Sequence, residues 1–179
     1  MDDTMIKNMI DKIYDVDESD ATASYGKGEK REDYADAWKE TGNAILLGLP
    51  GSGKAALAVL LAERIELDII TPVSVGEAVE ILGGEKKIIV LDDSLVEAPA
   101  VQSLIHGAGK AFYLMADSKT LAARMAERDS VEDSEQLWRD MSARLAVMEP
   151  IFYSVLHFLL PAVQTPEVMV DDALEKVAY

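Results

Sequence analysis

The strongest constraint on the fold is a glycine-rich segment, Gly48–Ala55, that separates a short apolar run from a helix-forming sequence. The run before it, Ala44–Leu47, is entirely apolar, which is typical of a parallel strand buried on both faces. The sequence after it, Lys54–Ile65, is rich in alanine, leucine and other strong helix formers. Together these segments predict a strand, a tight turn and a helix, the first unit of a parallel α/β sheet.

The segment has the spacing of a phosphate-binding loop, or P-loop, whose pattern G-x-x-x-x-G-K-[ST] lies between a strand and a helix. Its glycines allow backbone conformations in which consecutive N–H groups turn inward around phosphate oxygens. The helix N-terminus adds partial positive charge, and the lysine supplies a cation for the β and γ phosphates. The predicted phosphate-binding residues are Gly48, Leu49, Pro50, Gly51, Ser52, Gly53, Lys54 and Ala55.

The last position of this loop departs from the pattern. Ala55 stands where a serine or threonine hydroxyl ordinarily binds Mg²⁺, and alanine has no oxygen to offer. The phosphate-binding nest consists of backbone groups, so it survives this change, whereas direct anchorage of a metal by the loop does not. The alternative interpretation is a glycine-rich turn that holds no ligand.

Composition narrows the possible partners. The 179 residues suffice for one α/β domain with a sizeable core, and the formal net charge is −16. Nucleic acids and anionic membranes require a basic surface, so neither is expected as a partner, and an anionic nucleotide requires a local site that outweighs the overall charge. The sequence has no secretory signal pattern, no apolar stretch long enough to span a bilayer and no cysteine. We therefore expect a cytoplasmic protein.

After the loop, apolar runs alternate with helical periodicity, which predicts a parallel sheet with helices on both faces. Thr165-Pro166 predicts the start of the last helix, and Asp117 or Ser118 is expected to cap an earlier one. Further strands are expected at Leu67–Thr71, Lys87–Leu91, Ala111–Met115 and Val155–Leu160. Further helices are expected at Val75–Leu82, Ala98–His106, Thr120–Arg128, Ser134–Glu149 and Val168–Val177.

The first forty residues differ in composition from the rest. Residues 6–13 carry apolar side chains at helical spacing and predict a short amphipathic helix. Residues 15–30 predict a mobile linker, and residues 31–39 predict a second short helix. The chain is therefore expected to consist of an acidic N-terminal extension, residues 1–40, and a P-loop domain, residues 41–179.

A carboxylate pair, Asp92-Asp93, follows the apolar run Ile88–Leu91. In P-loop proteins an aspartate at the end of such a strand holds Mg²⁺ directly or through water. We therefore expect a metal-binding role for Asp92, and we consider Asp93 as a base that activates water or a hydroxyl. Alternatively, the pair only ends the strand in solvent.

With these motifs and the later segment Lys110–Arg124 in view, the sequence from Ala44 to Ala178 resembles the shikimate kinases. The order of P-loop, strands and an arginine-bearing helix follows that family, and Met148–Tyr153 and Thr165–Leu174 are similar to its tail. The resemblance implies a P-loop fold, a three-layer α/β/α sandwich with a parallel five-stranded sheet. It also implies ATP as the phosphoryl donor and shikimate as the acceptor.

The sequence departs from this family where the acceptor would bind. No acidic pair ends the second strand, and Asp68 lies too early in that strand to reach its tip. The family's glycine triplet after the third strand is replaced by Asp92-Asp93-Ser94, and its Arg-x-Pro by Met148-Glu149-Pro150. The shortened segment between the second and third strands also lacks the family's substrate-binding arginine. Each loss removes a group that would pair with a carboxylate or hydroxyl of shikimate.

Two arginines on the predicted helix Thr120–Arg128 are candidates for binding the phosphates. Arg128 is slightly preferred over Arg124 as the group that neutralises the transferring phosphoryl group. The acidic residues that follow would repel phosphate, so both arginines could instead be surface cations paired along the helix.

Two functions are therefore considered. The first is an ATP- and Mg²⁺-dependent phosphotransferase for a small-molecule hydroxyl, with Lys54, Asp93 and Arg128 as its catalytic groups. The second is a catalytically inactive relative that serves as a nucleotide-binding or partner-binding module. A protein partner or a homo-oligomer is compatible with either.

Overall fold

The structure, a computed structural model, describes residues 40–178. The strands are β1 (Ala44–Leu47), β2 (Asp68–Ile70), β3 (Lys87–Val90), β4 (Lys110–Met115) and β5 (Phe158–Pro161). The helices of this part are α1 (Lys54–Ile65), α2 (Val75–Leu82), α3 (Asp93–Glu97), α4 (Pro99–Ala108), α5 (Ser118–Asp129), α6 (Ser134–Val155) and α7 (Pro166–Val177). Every strand and helix predicted between Ala44 and Val177 is present, and most boundaries agree within one or two residues.

The sheet is wholly parallel, in the order β2-β3-β1-β4-β5. The central strand β1 pairs with β3, where Ala44 lies opposite Ile88, and with β4, where Ala44 lies opposite Lys110. All strands therefore end at the same edge, and the chain turns to opposite sides of β1. Open α/β sheets bind ligands at such a switch point.

Helices cover both faces of the sheet. α1 and α7 pack against each other on one face, whereas α4 and α6 cover the other. The residues of β1 and nearly all of β4 are buried, as a sheet with two covered faces requires. The predicted three-layer α/β/α sandwich with a five-stranded parallel sheet is confirmed.

Two predicted boundaries near the C-terminus are wrong. α6 continues past Glu149 to Val155, and β5 begins at Phe158. The expected end of the helix lay before Pro150, because proline inside a helix costs about 3 kcal/mol. The side chain of Pro150 is exposed, and the helix keeps one buried stripe through it. That stripe consists of Met141, Met148, Phe152 and Val155, and its burial outweighs the cost of the proline.

The short helix α3 was not predicted. Asp92 is its N-cap, because Oδ1 of that side chain accepts hydrogen bonds from the Ser94 N–H at 2.9 Å and the Ser94 hydroxyl at 2.7 Å. Five residues are too few to show helical periodicity in a sequence. The turn leaves Asp92 exposed and buries Asp93.

One buried amide joins the segments at the opposite edge of the sheet. Asn43, which is 3% exposed, donates from Nδ2 to the Gly84 carbonyl at 2.8 Å and to the Ala108 carbonyl at 2.9 Å. Its Oδ1 accepts the Lys87 N–H at 3.0 Å. Buried backbone groups need hydrogen-bond partners, and Asn43 is a partner for three of them. It thereby links the start of β1 to the segments that precede β3 and β4.

The helices expected at residues 6–13 and 31–39, and the linker between them, lie outside the described residues. The division at residue 40 stays a prediction. Within residues 40–178, no helix combines the length and the apolar character needed to cross a membrane.

Candidate functional site

The glycine-rich loop connects the carboxyl end of β1 to the first residue of α1. Gly51 and Gly53 have φ angles of 86° and 90°, which residues with a side chain rarely adopt. A Cβ on Gly51 would lie 3.0 Å from the carbonyl oxygen of Leu121 in α5, and a Cβ on Gly48 would lie 2.7 Å from Ser52 Oγ. Both backbone conformation and close packing therefore require glycine in this loop.

Backbone donors are left unpaired where the loop enters α1. The Ser52 N–H donates to the Leu49 carbonyl at 3.2 Å and closes the turn. The first hydrogen bond within α1 runs from the Leu57 N–H to the Gly53 carbonyl at 3.0 Å. The N–H groups of residues 54–56 therefore have no carbonyl partner in the helix. Such groups at the N-terminus of a helix favour an anion.

Lys54 spans the ends of the two strands next to the loop. Its Nζ donates to the Gly48 carbonyl at 2.5 Å and to the Leu91 carbonyl at 3.0 Å. An ammonium group has three donors, so one is left for a ligand oxygen. Burial lowers the pKa of Lys54, and the charges of Asp92 and Asp93 partly oppose this shift.

Asp92 is the carboxylate beside the loop and lines the same cavity as Lys54. Partial burial disfavours its charged form, but hydrogen bonds from Ser94 outweigh this effect and hold the pKa of Asp92 below its ordinary value. Both bonds from Ser94 go to the same oxygen, Oδ1. An ionised carboxylate therefore stands beside the nest at neutral pH.

Asp93 has a different environment. It is 7% exposed, and its Oδ2 accepts a hydrogen bond from Arg144 Nε at 2.6 Å. Arg144, on α6, also donates from Nη1 to Glu97 Oε2 at 2.8 Å. The carboxylate of Asp93 is thus engaged with α6, and Asp93 does not line the cavity over the loop.

The two arginines of α5 occupy different positions. Arg124 Nη1 donates to the Gly51 carbonyl at 3.1 Å, which brings this cation into contact with the loop. Arg128 lines the same cavity, but its Nε and Nη2 donate to the carboxylate of Asp129 at 2.9 and 3.1 Å. Arg124, which the sequence analysis ranks slightly below Arg128, is therefore the arginine that contacts the loop directly.

Two cavities meet at the loop. One, of about 520 Å³, lies over the loop and is lined by Lys54, Asp92 and the arginines of α5. The other, of about 350 Å³, is lined by residues 163–166, which follow β5, and by Met169 of α7. The residues that line both are Gly51, Ser52, Gly53 and Arg124. A ligand at the loop can therefore extend towards β3 and towards β5.

The oxygen donors beside the loop fit Mg²⁺ only together with phosphate. Ala55 offers no side-chain oxygen, and Asp92 supplies one carboxylate. In the described part of the chain, histidine and acidic residues form no group of three or more that could hold a metal ion. Mg²⁺ keeps several waters and is commonly bound by one or two carboxylates plus substrate phosphates. Asp92 is therefore a sufficient protein ligand if a nucleotide supplies the rest.

The predicted site residues come together with one exception. All of them other than Asp93 line the cavity over the loop or contact Lys54 there. Asp68 occupies the first position of β2, opposite Lys87. It therefore lies at the edge of the sheet away from the loop, as its place in the sequence indicates.

Two parts of the site were missed in the sequence. Arg144 lies between Met141 and Met148 on the stripe of α6 that faces the protein interior. A charged side chain at such a position needs a buried partner. This requirement was the signal in the sequence that could have identified Arg144 as a residue paired near the site. Residues 163–166 predict only a helix start, because their place beside the loop depends on the pairing of β5 with β4.

No protein-family model matches the chain, and no curated protein matches its sequence. Solved structures match its fold. The shikimate kinase of Bacteroides thetaiotaomicron has a TM-score of 0.65 at 16% identity, over 76% of this chain and 98% of that one. The YorR protein of Bacillus subtilis, in complex with phosphorylated GDP, has a TM-score of 0.64 at 18% identity, over 76% and 95%. A gluconokinase of Sinorhizobium meliloti 1021 has a TM-score of 0.56 at 18% identity, over 78% and 93%.

Identities this low establish the fold alone. The chain has the fold of P-loop small-molecule kinases, and the resemblance to shikimate kinases is confirmed at that level. Two of these structures carry the names of kinases for different small molecules, shikimate and gluconate. The fold therefore does not identify the small molecule that an enzyme of this fold phosphorylates.

Proposed function

We propose that the chain binds ATP at the glycine-rich loop and that its first candidate activity is phosphoryl transfer to a small-molecule hydroxyl. The observation that supports this most is the set of donors that converge on one cavity. The unpaired N–H groups of residues 54–56, the N-terminus of α1 and the ammonium group of Lys54 meet there. In a chain with a net charge of −16, such a local set of donors suits phosphate.

In this proposal the loop backbone, Gly48–Ala55, surrounds the phosphates, and Lys54 contacts the β and γ oxygens. Arg124 donates a hydrogen bond to the loop and adds positive charge beside the phosphates. Arg128 contacts the phosphates as well, once its ion pair with Asp129 has opened. Asp92 holds Mg²⁺, which when bound neutralises charge on the phosphate oxygens. These groups act by orientation and electrostatic stabilisation, which is the main contribution of proteins to phosphoryl transfer.

The smaller cavity suits the base of the nucleotide. Pro166 and Met169 provide apolar surface there, Gln164 provides an amide, and Arg124 provides a planar cation that can stack on a base. The base would then lie beside residues 163–166, and the phosphates would extend over the loop towards Asp92.

An acceptor would lie beyond the terminal phosphate, on the side of β3. On that side Arg144 is already paired with two carboxylates. It therefore has little hydrogen-bonding capacity left for the carboxylate of an acceptor such as shikimate. Asp93 could accept the proton of an acceptor hydroxyl only after its hydrogen bond to Arg144 opens. The ion pairs on this side therefore disfavour shikimate as the acceptor.

The second candidate function is a nucleotide-binding or partner-binding module without catalysis. Two observations favour it: position 55 has no hydroxyl, and the carboxylate of Asp93 is engaged by Arg144. Lys54 and the loop glycines suit both candidate functions, because their first role is to bind phosphate, whether or not catalysis follows.

Calorimetric titration with ATP and with ADP, each with and without Mg²⁺, tests the proposal. Release of ADP would then be followed with shikimate, gluconate or water as the acceptor. Binding with turnover supports the kinase, whereas binding without turnover supports the module. No binding at millimolar nucleotide would reject the kinase and the nucleotide-binding module, and would leave only a module that binds a partner.

Restoring the missing hydroxyl with Ala55→Thr should strengthen ATP binding in Mg²⁺ by about tenfold, since one added metal ligand is worth roughly 1.4 kcal/mol or more. Binding without Mg²⁺ should not change. Val59→Thr, which adds a hydroxyl to an exposed side chain of α1 that lines neither cavity at the loop, is the matched control. The geometry is contradicted if the two variants show the same Mg²⁺ dependence.

The lowered pKa of Lys54 predicts that ATP binds less well in alkaline solution. Phosphate binding needs the protonated amine, and burial holds the pKa of Lys54 below the ordinary 10.5. As pH rises through that lowered pKa the charge is lost, so affinity should already fall at a pH below the ordinary 10.5, in a range where phosphates with a pKa of about 6 no longer titrate. Lys54→Arg should give a flat profile, because its guanidinium stays protonated. A flat profile for the wild type would be the contrary result.

A further inference from the structure

Arg144 connects two helices at the carboxyl edge of the sheet. It extends from α6 and donates to Asp93 at 2.6 Å and to Glu97 at 2.8 Å. These two partners are the first and last residues of α3. One guanidinium group therefore fixes both ends of a helix of five residues. The side chains of Arg144 and Asp93 are only 29% and 10% exposed, so water screens this ion pair less than a surface pair.

The orientation of α3 determines the position of Asp92. The Ser94 N–H donates to Oδ1 of Asp92 at 2.9 Å. The N–H groups of Leu95 and Val96 donate to the backbone carbonyl of Asp92 at 3.0 and 3.2 Å. Leu95 and Val96 are also buried, so core packing holds the middle of α3 while Arg144 holds its ends.

The helix that carries Arg144 also supports the other side of the cavity. α6 packs along α5, where the hydroxyl of Ser118 is hydrogen-bonded to Ser142 at 2.9 Å and accepts from Trp138 Nε1 at 3.2 Å. α5 carries Arg124, which contacts the loop. One helix is therefore connected to the carboxylate on one side of the nucleotide cavity and to the cation on the other.

We propose that Arg144 is a positioning residue that holds Asp92 in place at the nucleotide cavity by clamping both ends of α3 to α6. This inference rests on the proposed function, in which Asp92 binds Mg²⁺ together with ATP. Arg144 does not line the cavity. It acts through Asp93, Glu97 and the amides of α3, as residues behind a metal ligand commonly do.

Amide hydrogen exchange of the full chain tests the clamp without any ligand. In Arg144→Met, the amides of Ser94, Leu95 and Val96 should exchange at least about tenfold faster, because α3 opens locally more often. The amide of Leu57 in α1 should be unaffected. Arg139→Met is the matched control, since Arg139 lies on the same helix in an exposed ion pair with Glu135, and it should leave exchange in α3 unchanged.

The second measurement is the ratio of ATP affinities with and without Mg²⁺. Arg144→Met should lower this ratio by about tenfold or more, as loss of a group that supports a metal ligand does. The affinity without Mg²⁺ should stay within about twofold of the wild type. A merely structural role would weaken both affinities equally. If Arg144→Met does not fold, Arg144→Lys and Glu97→Gln serve in the same two comparisons.

The outcomes separate this inference from the proposed function. Unchanged exchange at Ser94, Leu95 and Val96 overturns the clamp. Faster exchange with an unchanged Mg²⁺ ratio also overturns it, because Asp92 would then not depend on α3. If the wild type does not bind ATP, the proposed function fails, and exchange at the three amides still decides whether Arg144 clamps α3 to α6.

Discussion

Lys54→Ala is expected to weaken ATP binding about 100-fold or more, because truncating one member of a buried, hydrogen-bonded charge pair costs about 2–5 kcal/mol. Lys54 is held between the Gly48 and Leu91 carbonyls, so its ammonium group is already in place and loses little freedom when phosphate arrives. The backbone donors of the loop remain in the variant, and weak binding should persist. Calorimetry with ATP, before and after mutation, measures the loss.

Lys119→Ala is the matched control. It changes the net charge by the same amount, but Lys119 lines neither of the two cavities at the loop. Its affinity for ATP should be close to that of the wild type. If Lys54→Ala binds as tightly as Lys119→Ala, the nucleotide does not use the loop as proposed.

Asn43→Ala should lower the free energy of unfolding by about 2–4 kcal/mol, because a buried polar group left without its partner costs about 1–3 kcal/mol and this change leaves two. The orphaned groups are the Gly84 carbonyl and the Lys87 N–H, whereas the Ala108 carbonyl keeps the hydrogen bond that it accepts from the Thr41 hydroxyl at 2.7 Å. Urea unfolding followed by circular dichroism measures the change. At roughly 2–4 °C per kcal/mol for a chain of this length, the melting temperature should fall by about 10 °C.

Ser103→Ala supplies the comparison for Asn43. Ser103 is exposed and makes one local bond to the Ala100 carbonyl at 3.3 Å, so its loss should change stability by less than about 0.5 kcal/mol. A loss below about 1 kcal/mol for Asn43→Ala would mean that water replaces its hydrogen bonds. The loop edge should keep its nucleotide affinity in Asn43→Ala as long as the protein is folded, since Asn43 lies at the opposite edge of the sheet.

The fold was predictable because its local patterns agree with one another. The apolar runs at Ala44–Leu47 and Ile88–Leu91 indicate strands buried on both faces, and the glycine-rich loop fixes the direction of the chain between β1 and α1. Capping predictions at Asp117 and Thr165 are confirmed, since each side chain accepts a backbone N–H of its helix. The end of α6 was not predictable from a local rule, because burial on both sides of Pro150 overrides the preference of proline itself.

The site was less predictable than the fold. Motif spacing was enough to bring Lys54 and Asp92 to one cavity, since both follow parallel strands at the same edge. It could not show that Asp93 faces α6, because the partner, Arg144, lies 51 residues further along the chain. The same limit applies to Arg124 and Arg128, whose order of preference depends on how α5 packs against Gly51.

The central place of β1 affects the order in which the nest can be completed during synthesis. Ala44 pairs with Ile88 and Lys110, and both leave the ribosome long after the loop itself. The Leu121 carbonyl that packs on Gly51 follows later still. Pairing between distant segments is slow and exposes apolar strands meanwhile, so the proposed nucleotide site is complete only after α5 has emerged. A nascent chain arrested before Lys87–Val90 and Lys110–Met115 have emerged would present β1 as an unpaired strand, which is a target for chaperones.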